Sequence, residues 1–260
     1  MGKIIAVTNQ KGGVGKTTTS VNLAASLAAA NRQVLLIDLD PQGNAAMGCG
    51  VDKDEVEYSS CELLLEEVPV SEIIINNKEI GFDIIPGNAD LTAAEVHLMD
   101  AKNRERKLAD ALIPVRHEYD YILIDCPPSL NMLTLNAMVA ADSVLVPMQC
   151  EYYALEGLSA LMATLKNVRD TVNQGLHLEG ILRTMFDNRS RLTKDVSEQL
   201  QEYFDDKVFR TCIPRNVRLA EAPSHGLPII QYDKKSRGAV AYIAMAGEMI
   251  RKEEHEQGKK

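Results

Sequence analysis

The chain has no tryptophan, and only 5% of its 260 residues are aromatic. A core with so few rings must be filled by aliphatic side chains, as in parallel α/β sheets covered on both faces. Cysteine is sparse as well: Cys49, Cys61, Cys126, Cys150 and Cys212 are scattered, odd in number and form no C-x-x-C pair. That pattern argues against a disulfide framework or a zinc set and fits a reducing cytoplasm. No run approaches the roughly 18 apolar residues of a membrane span. The N-terminus enters an apolar strand within a few residues, which leaves no place for a signal peptide. His177, His225 and His255 suggest no metal cluster.

Positive charge is also in deficit. The net charge of −9 by itself argues against a nucleic-acid partner. Its distribution argues the other way: residues 183–237 carry 11 Lys and Arg against 8 Asp and Glu, while the acidic excess lies in residues 1–182. A locally basic segment in an acidic protein can form an electrostatic footprint; ordinary solvated surface charge is the alternative.

What the chain does have is a loop. The run Lys3-Ile4-Ile5-Ala6-Val7 leads into Thr8-Asn9-Gln10-Lys11-Gly12-Gly13-Val14-Gly15-Lys16-Thr17-Thr18, and an Ala- and Leu-rich helical stretch follows. Strand, glycine-rich turn and helix are the context a phosphate-cradling loop requires. Gly12, Gly13 and Gly15 free the backbone to turn successive N–H groups toward phosphate oxygens, and the following helix adds its N-terminal dipole. Lys16 supplies charge at the β- and γ-phosphates, and the Thr17 hydroxyl is placed to ligate Mg²⁺. The strict pattern G-x-x-x-x-G-K-[ST] fails at Gln10, and a second lysine, Lys11, stands beside it. A turn that merely caps a helix is the plain alternative, but two lysines beside three glycines repel one another unless an anion is present.

Strand-like runs at 4–7, 34–37, 82–85, 121–124, 143–146, 180–184, 208–213 and 228–231 alternate with helical segments near 17–30, 92–99, 104–118, 133–141, 155–173, 192–205 and 238–252. The expected fold is α/β, a single doubly wound, mostly parallel sheet with helices on both faces. No repeat or linker divides it, so one domain over 1–260 is expected, with a polar tail from about residue 252. Ligands in such sheets bind at the carboxyl ends of the strands. Two apolar runs end there in acid: Asp38-Leu39-Asp40 after Ile37, and Asp125 after Ile124. Charge is costly at such a position unless a cation or donors meet it. Helix N-caps are the modest reading; beside a phosphate loop, Asp38 and Asp125 are expected near Mg²⁺ and Asp40 near the attacking water.

These residues resemble the ParA/MinD class of P-loop ATPases. Lys11 to Thr18 is similar to its deviant Walker A motif, Asp38-Leu39-Asp40-Pro41-Gln42 to its Walker A′ motif, and Ile124-Asp125-Cys126-Pro127-Pro128 to its Walker B motif. Gln149 to Gly157, Ile213 to Arg218 and Glu221 to Gly226 resemble the small chromosomal, Soj-like branch, and the likeness covers residues 2 to about 250. The resemblance implies an ATP- and Mg²⁺-dependent ATPase, slow without a partner, that closes as a homodimer around two nucleotides. Lys11 would then be the lysine that reaches across to the partner's phosphates, with Gly12 at the tight contact. Lys11, Lys16 and Asp40 would serve catalysis, and Pro214 and Asn216 the adenine side.

Non-specific double-stranded DNA and a ParB/Spo0J-type protein are the implied partners, in a cytoplasmic, nucleoid-associated setting. Arg189 and Arg218 match the family's DNA-contacting arginines. Arg215, Lys234, Lys235 and Arg237, with Arg191 and Lys194, extend the patch on charge alone. Three features depart from other branches: no room for a helix-turn-helix before Gly2, a C-terminus without the basic amphipathic pattern of membrane-bound MinD, and no paired bridging cysteines for an iron–sulfur cluster. The competing readings are a MinD-like membrane-positioning ATPase and a small-molecule kinase or ligase using the same loop.

Overall fold

The computed structural model describes residues 2–257. Eight strands form one sheet in the order β3-β4-β2-β5-β1-β6-β7-β8. They are β1 (Lys3–Val7), β2 (Val34–Asp38), β3 (Ile75–Asn77), β4 (Phe82–Ile85), β5 (Tyr121–Asp125), β6 (Ser143–Gln149), β7 (His177–Phe186) and β8 (Val208–Pro214). Every pairing is parallel except β3 with β4. The central strands β2 and β5 are buried at every position, because helices cover both faces.

On one face pack α1 (Lys16–Ala29), α2 (Asn44–Gly48), α10 (Val217–Glu221), α11 (Ile229–Tyr232) and α12 (Arg237–Gln257). The other face is covered by α3 (Ser60–Leu65), α4 (Val70–Ile73), α5 (Leu91–Asp100), α6 (Lys107–Leu112), α7 (Met132–Ala140), α8 (Ala154–Thr171) and α9 (Arg191–Phe204). Aliphatic side chains dominate both layers, as the shortage of rings demands. None of the described helices is long and apolar enough to cross a membrane.

Seven of the eight expected strands form. The eighth, 228–231, is instead the single turn α11. Pro228 opens that turn at φ −59°, its carbonyl accepts the N–H groups of Gln231 and Tyr232, and Ile229 is buried. The β-branched pair Ile229-Ile230 imitates a strand, but the segment packs against α1, α10 and α12 instead of pairing in the sheet. The expected helix over 104–118 breaks into α6 and a 3₁₀ turn at Arg116–Glu118; Pro114, which has no N–H, stands between them. Strand β3 adds to the expected set: the apolar run Ile73-Ile74-Ile75 ends where the strand begins, and the polar Asn76 and Asn77 continue it as a short antiparallel edge. At the C-terminus α12 continues to Gln257, through the start of the expected tail; residues 258–260 of that tail lie outside the described residues.

Candidate nucleotide site and basic groove

The loop after β1 is held open from several sides. Thr8 donates its N–H to Leu145 O on β6 (3.1 Å), Asn9 Nδ2 donates to Pro147 O (2.8 Å), and the Thr184 hydroxyl on β7 donates to Val14 O (2.7 Å). Val14 is buried and pins the loop's middle. Gly13 and Gly15 have φ of +73° and +88°, the left-handed region where a Cβ is costly. Gly12 does not adopt that region, so the backbone freedom expected of it is not used. Gly15 leads directly into the first turn of α1, which turns its free N–H groups toward the loop.

Lys16 is 6% exposed, and its ammonium reaches back to Lys11 O (3.3 Å). Burial lowers its pKa, and the charge of Asp125 opposes that shift. Lys11 points elsewhere: it is exposed and forms an ion pair with Glu151, which is also exposed. Thr17 and Thr18 follow on the first turn of α1.

The three aspartates meet here because of strand register. Asp38 at the end of β2 pairs with Asp125 at the end of β5, and Asp125 pairs with Val7, the last residue before the loop. Both carboxylates are fully buried. Burial raises both pKa values; the charge of Asp125 pushes Asp38 up further, while the nearby Thr17 and Ser20 hydroxyls pull Asp125 down.

Their hydrogen bonds separate them. Asp38 accepts the N–H of Asp40 (3.1 Å) on Oδ1 and those of Ala45 (2.9 Å) and Ala46 (3.0 Å) on Oδ2. Its oxygens therefore brace the backbone of the turn that follows β2. Asp125 accepts from the Ser20 hydroxyl on Oδ1 (2.8 Å), and its buried Oδ2 has no hydrogen-bond partner. An unpartnered buried carboxylate oxygen beside a threonine hydroxyl suits a divalent cation. Among the described residues no three His, Cys, Asp or Glu side chains converge as a metal cage; Mg²⁺, which keeps waters and phosphate oxygens, does not need one. Asp40 is 8% exposed, with Oδ1 accepting the Gln42 N–H (3.0 Å). Ser20 carries no motif and could be found from sequence only by counting one helical turn on from Lys16.

Beside the loop opens a mostly apolar pocket of about 190 Å³, lined by Gly15, Thr18, Met185, Pro214, Asn216 and Leu219 among others. It brings Pro214 and Asn216 to the phosphate loop although they lie some two hundred positions away in sequence. Thr184, Met185, Leu219, Ala220 and Tyr242, which also line it, belong to no motif read from the sequence.

The basic residues divide. Arg189, Arg215, Lys235 and Arg237 line one open groove of about 980 Å³ together with Asp187 and Val240. Arg189 is paired with Asp187 through two of its nitrogens (3.0 and 3.1 Å). Arg218 lies outside that lining and is engaged by Glu221 (2.8 Å) and Asp233 (3.7 Å). Arg191 pairs with Asp195 along α9 (3.9 Å), and Lys194 and Lys234 are exposed.

A glycine-rich loop between a central parallel strand and a helix, with a buried lysine and strand-end carboxylates, defines a P-loop nucleotide-binding protein. The comparisons narrow the class. The family model of an AAA domain matches residues 2–178. Sporulation initiation inhibitor protein Soj of Bacillus subtilis is 54% identical over 249 residues, covering 96% of this chain and 98% of that protein. Chromosome partitioning protein ParA of Myxococcus xanthus is 52% identical over 253 residues, covering 97% and 89%. Among solved structures, cobyrinic acid a,c-diamide synthase of Mycobacterium smegmatis with bound ADP and magnesium superposes with a TM-score of 0.85 at 37% identity, covering 96% of this chain and 95% of that one. The chain belongs to the ParA/Soj family of P-loop ATPases.

Proposed function

We propose that the protein is a partition ATPase in which ATP closes a homodimer, the closed dimer holds duplex DNA without sequence preference, and a ParB-type partner stimulates hydrolysis and release. One observation carries this reading: its own chain gives no reason for Gly12 or Lys11. A Cβ at Gly12 meets nothing within 4 Å, and its φ is not left-handed. Lys11 spends its charge on an exposed ion pair, a contact worth about 1 kcal/mol or less. A second copy facing the loop supplies both reasons. Gly12 leaves room for close approach, and Lys11 swings from Glu151 to the partner's phosphates, so that a γ-phosphate and dimerisation become coupled.

Within that frame the chain's own groups divide the work. The loop N–H groups and Lys16 hold the β- and γ-phosphates, and Pro214 and Asn216 receive the adenine. Asp125 Oδ2 and the Thr17 hydroxyl would hold Mg²⁺, which when bound neutralises charge on the phosphates during transfer. Asp40, fixed by the Gln42 N–H, orients the attacking water. The groove at Arg189, Arg215, Lys235 and Arg237, together with Arg218 and Lys234 outside its lining, takes the DNA backbone. That activity places the protein on the nucleoid in the cytoplasm.

Fluorescence anisotropy of a labelled random duplex with ATP, with ADP and without nucleotide tests the coupling. Binding is expected with ATP alone and should fall steeply with salt as counterions are released. Equal binding with ADP and ATP refutes it. Reversing charge at both Arg189 and Arg218 should abolish DNA binding and leave nucleotide affinity intact; retained DNA binding refutes the patch.

A further inference from the structure

The pairing of β7 with β8 is broken twice. Ile181 pairs with Val208 and Arg183 with Cys212, so three residues of β8 face one of β7; Phe186 then pairs with Pro214, so two residues of β7 face one of β8. Met185, inside the second irregularity, has a φ of +47°. Between the two breaks sits Arg183, 5% exposed and with no carboxylate in ion-pair range among the described residues. Its guanidinium donates from Nη1 to Ser197 Oγ on α9 (2.6 Å) and from Nη2 to Phe209 O (2.7 Å) and Arg210 O (3.2 Å). From the other side, the Glu248 carboxylate on α12 accepts the N–H groups of Arg210 (2.7 Å) and Thr211 (3.0 Å) and the Thr211 hydroxyl (2.8 Å). The bulged stretch of β8 is thus clamped between a buried cation that takes its carbonyls and a carboxylate that takes its N–H groups.

A buried guanidinium without a counter-ion is expensive, and a packing role alone would be met more cheaply by an apolar side chain. What the clamp sets lies just beyond it. Bulges re-aim the residues that follow them, and here those residues form one wall shared by two sites. Pro214 and Arg215 line both the pocket beside the loop and the basic groove; Ile213 and Asn216 line the pocket, and Cys212 the groove.

We infer that Arg183 is a positioning residue for this shared wall: one buried side chain sets both where a base seats against Pro214 and Asn216 and where Arg215 meets the DNA backbone. This rests on the reading above of the pocket as the base site and of the groove as the DNA site.

The test is Arg183→Lys, which keeps the charge but replaces a planar fork with a single ammonium unable to span Ser197 and both carbonyls. The variant is titrated with ATP and with inorganic tripolyphosphate, both with Mg²⁺; tripolyphosphate keeps the phosphates and lacks the base. ATP affinity should fall by about tenfold, equivalent to about 1.4 kcal/mol, with tripolyphosphate affinity unchanged. In saturating ATP, the salt slope of DNA binding should become shallower by about one. Equal losses for the two ligands, or no loss for either, in a protein with a wild-type melting profile overturn the inference. If Arg183→Lys does not fold, Glu248→Gln loosens the same bulge from the opposite side and takes the same titrations, and an unchanged ratio of the two affinities there overturns it. Asn216→Ala separates the two layers. An altered ratio in Asn216→Ala with an unchanged one in Arg183→Lys overturns the positioning role alone. An unchanged ratio in Asn216→Ala overturns the base-site reading and the inference with it.

Discussion

Replacing Asp125 with asparagine should make the nucleotide-free protein more stable while weakening the site it belongs to. The carboxylate is fully buried, Oδ1 has the Ser20 hydroxyl, and Oδ2 has no partner. Leaving such an atom unpaired costs about 1–3 kcal/mol, and more for a charged group. Its neighbour in register is the second buried carboxylate, Asp38. Burial raises the Asp125 pKa above its unfolded value, so the folded state binds the proton more tightly than the unfolded chain does.

Wild-type stability contributed by this group is therefore fully present below the unfolded pKa of about 3.9 and is lost as pH rises through the folded value. Asparagine does not titrate and lacks that loss. In urea unfolding with a chelator and no nucleotide, Asp125→Asn should gain about 1–3 kcal/mol over wild type near pH 8, with the gain shrinking toward pH 4. Isothermal titration should show weakened Mg²⁺-dependent nucleotide binding in the same variant. A variant less stable than wild type near pH 8, or a difference that does not vary with pH, refutes the account of Asp125 as a strained anion awaiting a cation.

Gly12→Ala should leave thermal stability within about 0.5 kcal/mol, because its Cβ enters open space, yet abolish ATP-dependent dimers in sedimentation; intact dimers contradict the second-copy reading. Gly43→Ala should destabilise by more than about 1 kcal/mol, since its φ is +61° and a Cβ would lie 2.5 Å from Gly87 O; an unchanged denaturation midpoint contradicts that geometry. Asp40→Ala should retain ATP, lose turnover and accumulate as a dimer, and a monomeric variant in saturating ATP contradicts the role given to Asp40.

The central part of the site was legible because it is local. Gln10 to Thr18 are consecutive, and the chemistry of a glycine-rich loop between strand and helix is written in their order. Asp38 and Asp125 were findable because an acid at the end of an apolar strand is conspicuous. Their difference was not: whether a carboxylate braces backbone or keeps an oxygen free depends on which N–H groups the following turn presents, and Ala45 and Ala46 carry no signal of that. The strand expected at 228–231 fails for a related reason, since β-branching reports a preference and only a neighbouring strand makes it a sheet. Arg183 and Glu248 were invisible as a pair, being 65 positions apart with no motif around either.

The sequence by itself determined the doubly wound sheet, the phosphate loop and the unusual pair of lysines, because strand runs, turn glycines and their order are properties of neighbouring residues. The tertiary structure alone decided which carboxylate keeps a free oxygen, that Gly12 is not required by its own backbone, and that Pro214 and Arg215 line both the pocket beside the loop and the basic groove. Those outcomes depend on strand register and on bulges. Register is set by packing across the whole sheet, and no window of neighbouring residues contains it.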